Sequence, residues 1–134
     1  MTGGPSAGTV LVADDEEMLL RLVDNVLRRA GFRVLTAATG TEALEAFSED
    51  PAAIDTVLID AGMPQTGAAE VLRSMLALRS DVGVVVSSGA SPSDELQKLL
   101  ADCGGRFLSK PFDPETLISV VSAMGRSPDR PGRD

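Results

Sequence analysis

The chain has no histidine, one cysteine (Cys103) and only two lysines (Lys98 and Lys110) in its 134 residues. Without an imidazole there is no Ser-His-Asp triad, no histidine-ligated zinc and no phosphohistidine step within the chain itself. A lone thiol makes neither an internal disulfide nor a thiolate cage, which excludes disulfide scaffolds and zinc ribbons and leaves a reducing or an indifferent compartment. Cys103 itself reads as a helix-end thiol. Positive charge is scarce as well: 12 basic against 20 acidic side chains give a net charge of −8, which repels a phosphate backbone, so direct nucleic-acid binding is not expected. No apolar run approaches the roughly 20 residues that cross a bilayer, and Met1 to Gly8 has neither the basic nor the apolar stretch of a targeting segment. A soluble, cytoplasmic chain without membrane insertion is expected.

What is present fits one globular core, with 43% apolar and 24% charged residues. The ends, MTGGPSAG (1–8) and RSPDRPGRD (126–134), are Gly, Pro, Ser and charge without periodicity and are expected to be disordered. Between them, short apolar runs (Thr9 to Ala13, Phe32 to Ala37, Thr56 to Ile59, Val82 to Val86, Arg106 to Leu108) alternate with segments of helical period. Leu19, Val23, Val26, Leu27 and Ala30 fall on one helix face, as do Ala43, Leu44 and Phe47, then Val71, Leu72, Met75 and Leu76, and last Leu117, Val120, Val121 and Met124. Thr39 with Glu42, and Ser91 with Asp94 around Pro92, read as capping boxes; Asp113 before Pro114 reads as N-cap and first residue of the last helix. TVLVA and VGVVV are apolar throughout, as burial on both faces of a parallel sheet requires. The repeat predicts an α/β fold: a doubly wound parallel sheet of five strands with five helices on its two sides.

In such sheets ligands bind beyond the carboxyl ends of the strands. The first strand ends in Asp14 and Asp15, the third in Asp60, the fourth in Ser87 and Ser88, and the fifth in Lys110. Alone, each has an ordinary structural explanation: an N-cap for the Asp pair, a turn for Asp60, a solvated rim charge for Lys110. Their joint placement around one crevice is not predicted by those explanations. Three clustered carboxylates cannot all stay ionised without a cation, and a hard divalent metal, Mg²⁺ or Mn²⁺, satisfies them while leaving a position for a phosphoryl oxygen. Lys110 adds a second positive charge, Ser88 a hydroxyl donor, and Gly89 a close backbone approach. With no histidine and no well-placed cysteine, the available nucleophile is a carboxylate, whose attack on phosphorus gives an aspartyl phosphate. Asp60, alone on the middle strand, is the candidate.

Over Thr9 to Met124 the segments VLVADDEE, VLIDAGMP, VVVSSGAS and FLSKPF, in that order and spacing, resemble the receiver domain of two-component response regulators, of the type often fused to hybrid sensor histidine kinases. The resemblance implies a receiver domain over 9–125 with a flavodoxin-like fold of strand order 2-1-3-4-5. It implies Asp60 as phosphoacceptor, Asp15 as direct Mg²⁺ ligand, Asp14 acting through metal-bound water, and Gly62 offering its backbone carbonyl to the metal. Ser88 matches the switch hydroxyl, Lys110 the phosphate partner, Pro111 a cis peptide, and Phe107 the aromatic that turns inward when the hydroxyl moves; an ordinary core aromatic is the plain reading of Phe107. Two departures stand out: Gly67 lies one place earlier than the family's usual glycine, with Ala68 in that place, and Phe107 lacks the hydroxyl of a tyrosine.

The reaction so implied is in-line attack by Asp60 on the phosphoryl group of a phosphohistidine carried by a histidine kinase or a histidine phosphotransfer domain, with Mg²⁺ and Lys110 neutralising charge. Gly62 and Ala90 bring no side chain able to orient the water that later hydrolyses the product. The output face would be that of the fourth and fifth helices, toward a fused kinase or a separate output partner, and the helix starting at Glu16 would meet the donor. Few residues follow Met124, too few for an output domain, so a stand-alone receiver and a piece of a hybrid kinase are both expected alternatives. Two rivals remain. A phosphotransferase enzyme commonly shows a second acid two residues after its nucleophile, where this chain has Gly62, so turnover on an outside substrate is not expected. A phosphorylation-independent interaction module would keep partner binding when Asp60 is replaced.

Overall fold

Strands and helices alternate along the chain as β1 (Thr9–Ala13), α1 (Glu17–Arg29), β2 (Arg33–Ala37), α2 (Gly40–Glu49), β3 (Thr56–Asp60), α3 (Ala68–Leu78), β4 (Gly83–Ser88), α4 (Asp94–Cys103), β5 (Arg106–Ser109) and α5 (Pro114–Met124), with a 3-10 turn at Pro51–Ala53. This computed structural model describes residues 8–63 and 67–124; the expected disordered ends lie outside the described residues except for Gly8. All neighbouring strands pair in parallel, in the order β2-β1-β3-β4-β5. The flavodoxin-like arrangement expected from the resemblance is therefore the one observed.

Side-chain alternation along the strands divides the core in two. Val10, Val12, Leu58, Val85 and Leu108 pack with Val23 and Leu27 of α1 and Leu117 and Val121 of α5. Leu11, Ala13, Val57, Ile59, Val84 and Val86 pack with Phe47 of α2, Leu72 and Met75 of α3, and Leu96 and Leu100 of α4. Every residue of β3 is buried, and β1 and β4 each have only one partly exposed end residue. That two-sided burial explains why these strands read as unbroken apolar runs. On the edge, β2 exposes Arg33, Leu35 and Thr36, and begins one residue later than expected.

Helix boundaries follow their caps. Thr39 accepts the amide of Glu42 at 3.0 Å while the Glu42 carboxylate takes the amide of Ala38 at 2.9 Å. Asp113 accepts the amide of Thr116 at 2.7 Å and fixes the start of α5. The expected box of Ser91 with Asp94 is not formed; Ser93 caps α4 instead, accepting the amide of Leu96 at 3.2 Å, because the chain turns into the helix after Pro92. The far end of α4 closes on Gly104 in the left-handed region, φ 73°, which glycine adopts without a Cβ penalty. At the first helix, Glu16 is the N-cap and Glu17 the first helical residue, one later than expected.

Candidate functional site

The strand ladder continues one residue past several strand ends and thereby fixes the polar residues there. The amide of Asp14 donates to Ala37 O at 3.1 Å, that of Ala61 to Ser87 O at 2.8 Å, and that of Lys110 to Ser88 O at 2.8 Å. Asp60 itself is the last residue of β3, in register with Ser87. Rigid backbone thus presents Asp14, Asp60 and Lys110 at the same end of the sheet, on three different strands.

Their side chains meet. Lys110 Nζ lies 3.1 Å from Asp60 Oδ1 and 3.2 Å from Asp14 Oδ2, with Glu16 Oε1 at 3.7 Å. Asp14 and Asp60 are buried, Lys110 largely so, and Glu16 is exposed. The other oxygen of Asp14 accepts the amide of Glu16 at 2.9 Å. Burial, together with the nearby charge of Asp60, pushes the Asp14 carboxyl above its ordinary range against the pull of the Glu16 amide and the Lys110 ammonium. Burial also works against the charge on Lys110, but the hydrogen bonds it donates to Asp60 and Asp14, with their charges, outweigh it and hold the ammonium above the ordinary lysine value.

Asp14, Asp15 and Asp60 can each bring one carboxylate oxygen within 4.8 Å of the others. This all-oxygen set, two members buried and Asp15 at the surface, is the donor chemistry a hard divalent cation takes. Gly62 keeps the space beside it open: a Cβ there would stand 3.5 Å from Asp60 Oδ2. The residues present therefore fit such a cation.

The sequence profile of the response regulator receiver domain matches residues 10–122. The chain belongs to that family. As a response regulator receiver it is a signalling domain of two-component systems. It is 33% identical over 126 residues to the transcriptional regulatory protein PrrA of Mycobacterium tuberculosis, covering 94% of this chain and 53% of PrrA. It is 31% identical over 118 residues to the sensor kinase CckA of Brucella abortus, covering 88% of this chain and 12% of CckA. The receiver thus spans about half the length of PrrA and a small part of CckA. Among solved structures it is similar to the receiver domain of the hybrid histidine kinase CckA, with a TM-score of 0.75 at 29% identity over 87% of this chain and 98% of that one. It is also similar to a chain of the CheX-CheY-BeF3-Mg complex from Borrelia burgdorferi, with a TM-score of 0.79 at 26% identity, over 91% and 90%.

The remaining residues expected at the site are placed less uniformly. Ser88 is half-buried, and its hydroxyl is engaged by the amide of Ala90 at 3.1 Å within its own loop, not by the acidic group. Ser87, directly opposite Asp60, is buried. Phe107 is half-buried and packs on the cluster beneath α3 and α4. The Lys110–Pro111 peptide is cis. Gly67 caps α3 with an ordinary extended backbone, φ −66°, while Gln65 and Thr66 before it lie outside the described residues. Among the described residues no helix is long and apolar enough to cross a membrane.

Sequence reasoning did not single out Glu16 as a partner of Lys110, nor the apolar groove beside it. Met18, Leu19 and Leu22 of α1 line that groove together with Pro111 and Phe112, and Met18 and Leu22 are exposed. Exposed apolar residues recurring along α1, a helix otherwise rich in charge, are the signal that could have found it.

Proposed function

We propose that this receiver is a phosphoacceptor switch in which Asp60 takes a phosphoryl group from a phosphohistidine borne by a histidine kinase or a histidine phosphotransfer domain. The observation that carries the reading is the 3.1 Å approach of Lys110 Nζ to Asp60 Oδ1 at the mouth of the sheet, beside two further carboxylates. A carboxylate oxygen of Asp60 forms the bond to phosphorus as the bond from phosphorus to the imidazole nitrogen breaks, the electron pair staying on that nitrogen. Lys110, already poised at the acceptor, follows the charge on to the phosphoryl oxygens. Asp14, Asp15, Asp60 and the carbonyl of Gly62 would hold Mg²⁺ or Mn²⁺, which supplies neutralisation of charge on the transferring group. The domain promotes its own phosphorylation and later hydrolysis, and does not turn over an outside substrate.

The added charge at this buried position favours a rearrangement of Ser88 with Phe107, read out on the face of α4 and α5 by a fused kinase or a separate output partner. The donor meets the outward face of α1, where exposed Met18 and Leu22 adjoin Lys110 through Pro111 and Phe112. The net charge of −8 argues against direct nucleic-acid contact, and the cytoplasm is the compartment where such donors act. Intact mass after incubation with acetyl phosphate and Mg²⁺ tests the reading. One phosphoryl adduct that needs Mg²⁺ and is absent from Asp60→Asn supports it. No adduct, with no response to beryllofluoride, makes the chain an interaction module instead.

A further inference from the structure

We propose that Glu16 is a specificity-determining residue of the transfer: its carboxylate at the outer side of Lys110 disfavours small, free anionic phosphodonors relative to a phosphoryl group delivered by a protein. The inference rests on the reading of Asp60 as acceptor. Lys110 is held from within by Asp60 at 3.1 Å and Asp14 at 3.2 Å, both buried, and from the solvent side by Glu16 at 3.7 Å, whose side chain is 70% exposed. Glu16 is not one of the three carboxylates that converge on a common point. It occupies the N-cap of α1 but makes no side-chain cap bond. Its backbone alone is used there, the amide donating to Asp14 Oδ1 and the carbonyl accepting the amide of Leu20 at 2.9 Å. The fold therefore fixes the backbone from which the Glu16 side chain reaches Lys110, without needing its carboxylate for the helix, and its polar contact is the ammonium that the reaction uses.

The electrostatic consequence has one sign. Asp14, Asp15, Asp60 and Glu16 against Lys110 leave the site negative, and a divalent cation reduces but does not cancel that charge; without Glu16 it would. A dianion arriving from solvent meets this residual charge. A phosphoryl group carried on a partner meets the same repulsion, but remote contacts offset it. The apolar groove of Met18, Leu22, Pro111 and Phe112, which Glu16 borders, is where such contacts are available.

The test follows phosphorylation by intact mass at saturating Mg²⁺ for the wild type, Glu16→Gln and Glu16→Asp, with two small donors. With acetyl phosphate the bond from phosphorus to the bridging oxygen breaks and the electron pair leaves with acetate. With phosphoramidate the P–N bond breaks and the pair leaves with the already protonated nitrogen as ammonia; that proton also lowers the donor's net charge. Glu16→Gln is expected to react about fivefold faster with acetyl phosphate at low salt and about twofold faster with phosphoramidate, the gain shrinking as salt screens it. Glu16→Asp is expected to keep the wild-type rate. Calorimetric titration of Mg²⁺ alone gives a readout independent of transfer, with affinity in Glu16→Gln about twofold to threefold weaker. An unchanged or slower rate in Glu16→Gln, or a gain of equal size with both donors and insensitive to salt, overturns the inference while leaving Asp60 as acceptor. No adduct on the wild type from either donor overturns the acceptor reading, and this inference with it.

Discussion

The Lys110 ammonium is shared between two buried carboxylates on different strands, Asp60 at the end of β3 and Asp14 just past β1. Neither acid has exclusive use of it, so in the proposed transfer the ammonium can stay with Asp14 while it turns from Asp60 to the incoming phosphoryl oxygens. Replacing it with methionine keeps the stem packed and removes only the charge. Lys110→Met is expected to slow transfer from acetyl phosphate by about a hundredfold or more, the scale seen when one preorganised donor is lost from a reacting centre. Intact-mass kinetics against the wild type check this, and a rate within threefold of wild type would mean that Lys110 is an ion-pair partner only.

Asp15 is the exposed member of the acidic trio, so its replacement would change the donors offered to a cation without burying a charge. Mg²⁺ is expected to raise the melting temperature, because a ligand that binds only the folded state stabilises it by mass action. At ten times its dissociation constant this amounts to about 1.4 kcal/mol, or roughly 5 °C for a domain of this size. Asp15→Asn is expected to lose most of that shift while melting normally without Mg²⁺. An unaltered Mg²⁺ response in the variant would place the cation away from Asp15.

The fold and the centre of the site were legible because both rest on local signals. Two-sided burial made β1, β3 and β4 continuous apolar runs, and charged or serine residues at four of the five strand ends, all but that of β2, marked the candidate end of the sheet. The strand order was a different matter, since hydropathy does not say which strands pair; it came from the resemblance of four segments to a known family. Misplaced details have local causes. Ser91 and Ser93 both fit a cap by composition, and only the path of the chain after Pro92 selects Ser93. Glu16 was invisible as a partner of Lys110 because the two are far apart in the chain, and only the parallel sheet, which sets the ends of β1 and β5 at one edge, brings them together.

Arg79 shows the same limit and carries its own prediction. It follows α3, yet its guanidinium donates through Nη1 to Pro51 O at 3.2 Å and to Ile54 O, and through Nε to Asp81 at 2.8 Å. These carbonyls belong to the 3-10 turn that leads into β3, so Arg79 closes the turn that aims the strand bearing Asp60. Arg79→Ala is expected to destabilise the fold by about 1.5–3 kcal/mol, the range for hydrogen bonds to a charged group, with Arg79→Lys recovering only part because an ammonium lacks the planar fork. Denaturant unfolding with an unchanged m-value checks it, and a loss below 0.5 kcal/mol would mark Arg79 as an ordinary surface residue.

The cap on α5 gives the pH prediction. Asp113 accepts the amide of Thr116 at 2.7 Å, and that bond holds its carboxyl below the ordinary value of 3.8. A carboxyl whose pKa is depressed in the folded state contributes stability that is fully present above the unfolded value and is lost as pH falls through the folded one. The contribution of Asp113 is therefore expected to be constant at neutral pH and to disappear below pH 3.8. Asp113→Asn keeps the capping oxygen but cannot titrate, so its stability relative to wild type should rise as the pH is taken below that point. Asp113→Ala loses the cap at neutral pH, and its deficit should narrow over the same interval. Melting temperatures of the three proteins across the acid range decide it: parallel curves for wild type and Asp113→Asn would show that the charge on Asp113 adds nothing to the start of α5.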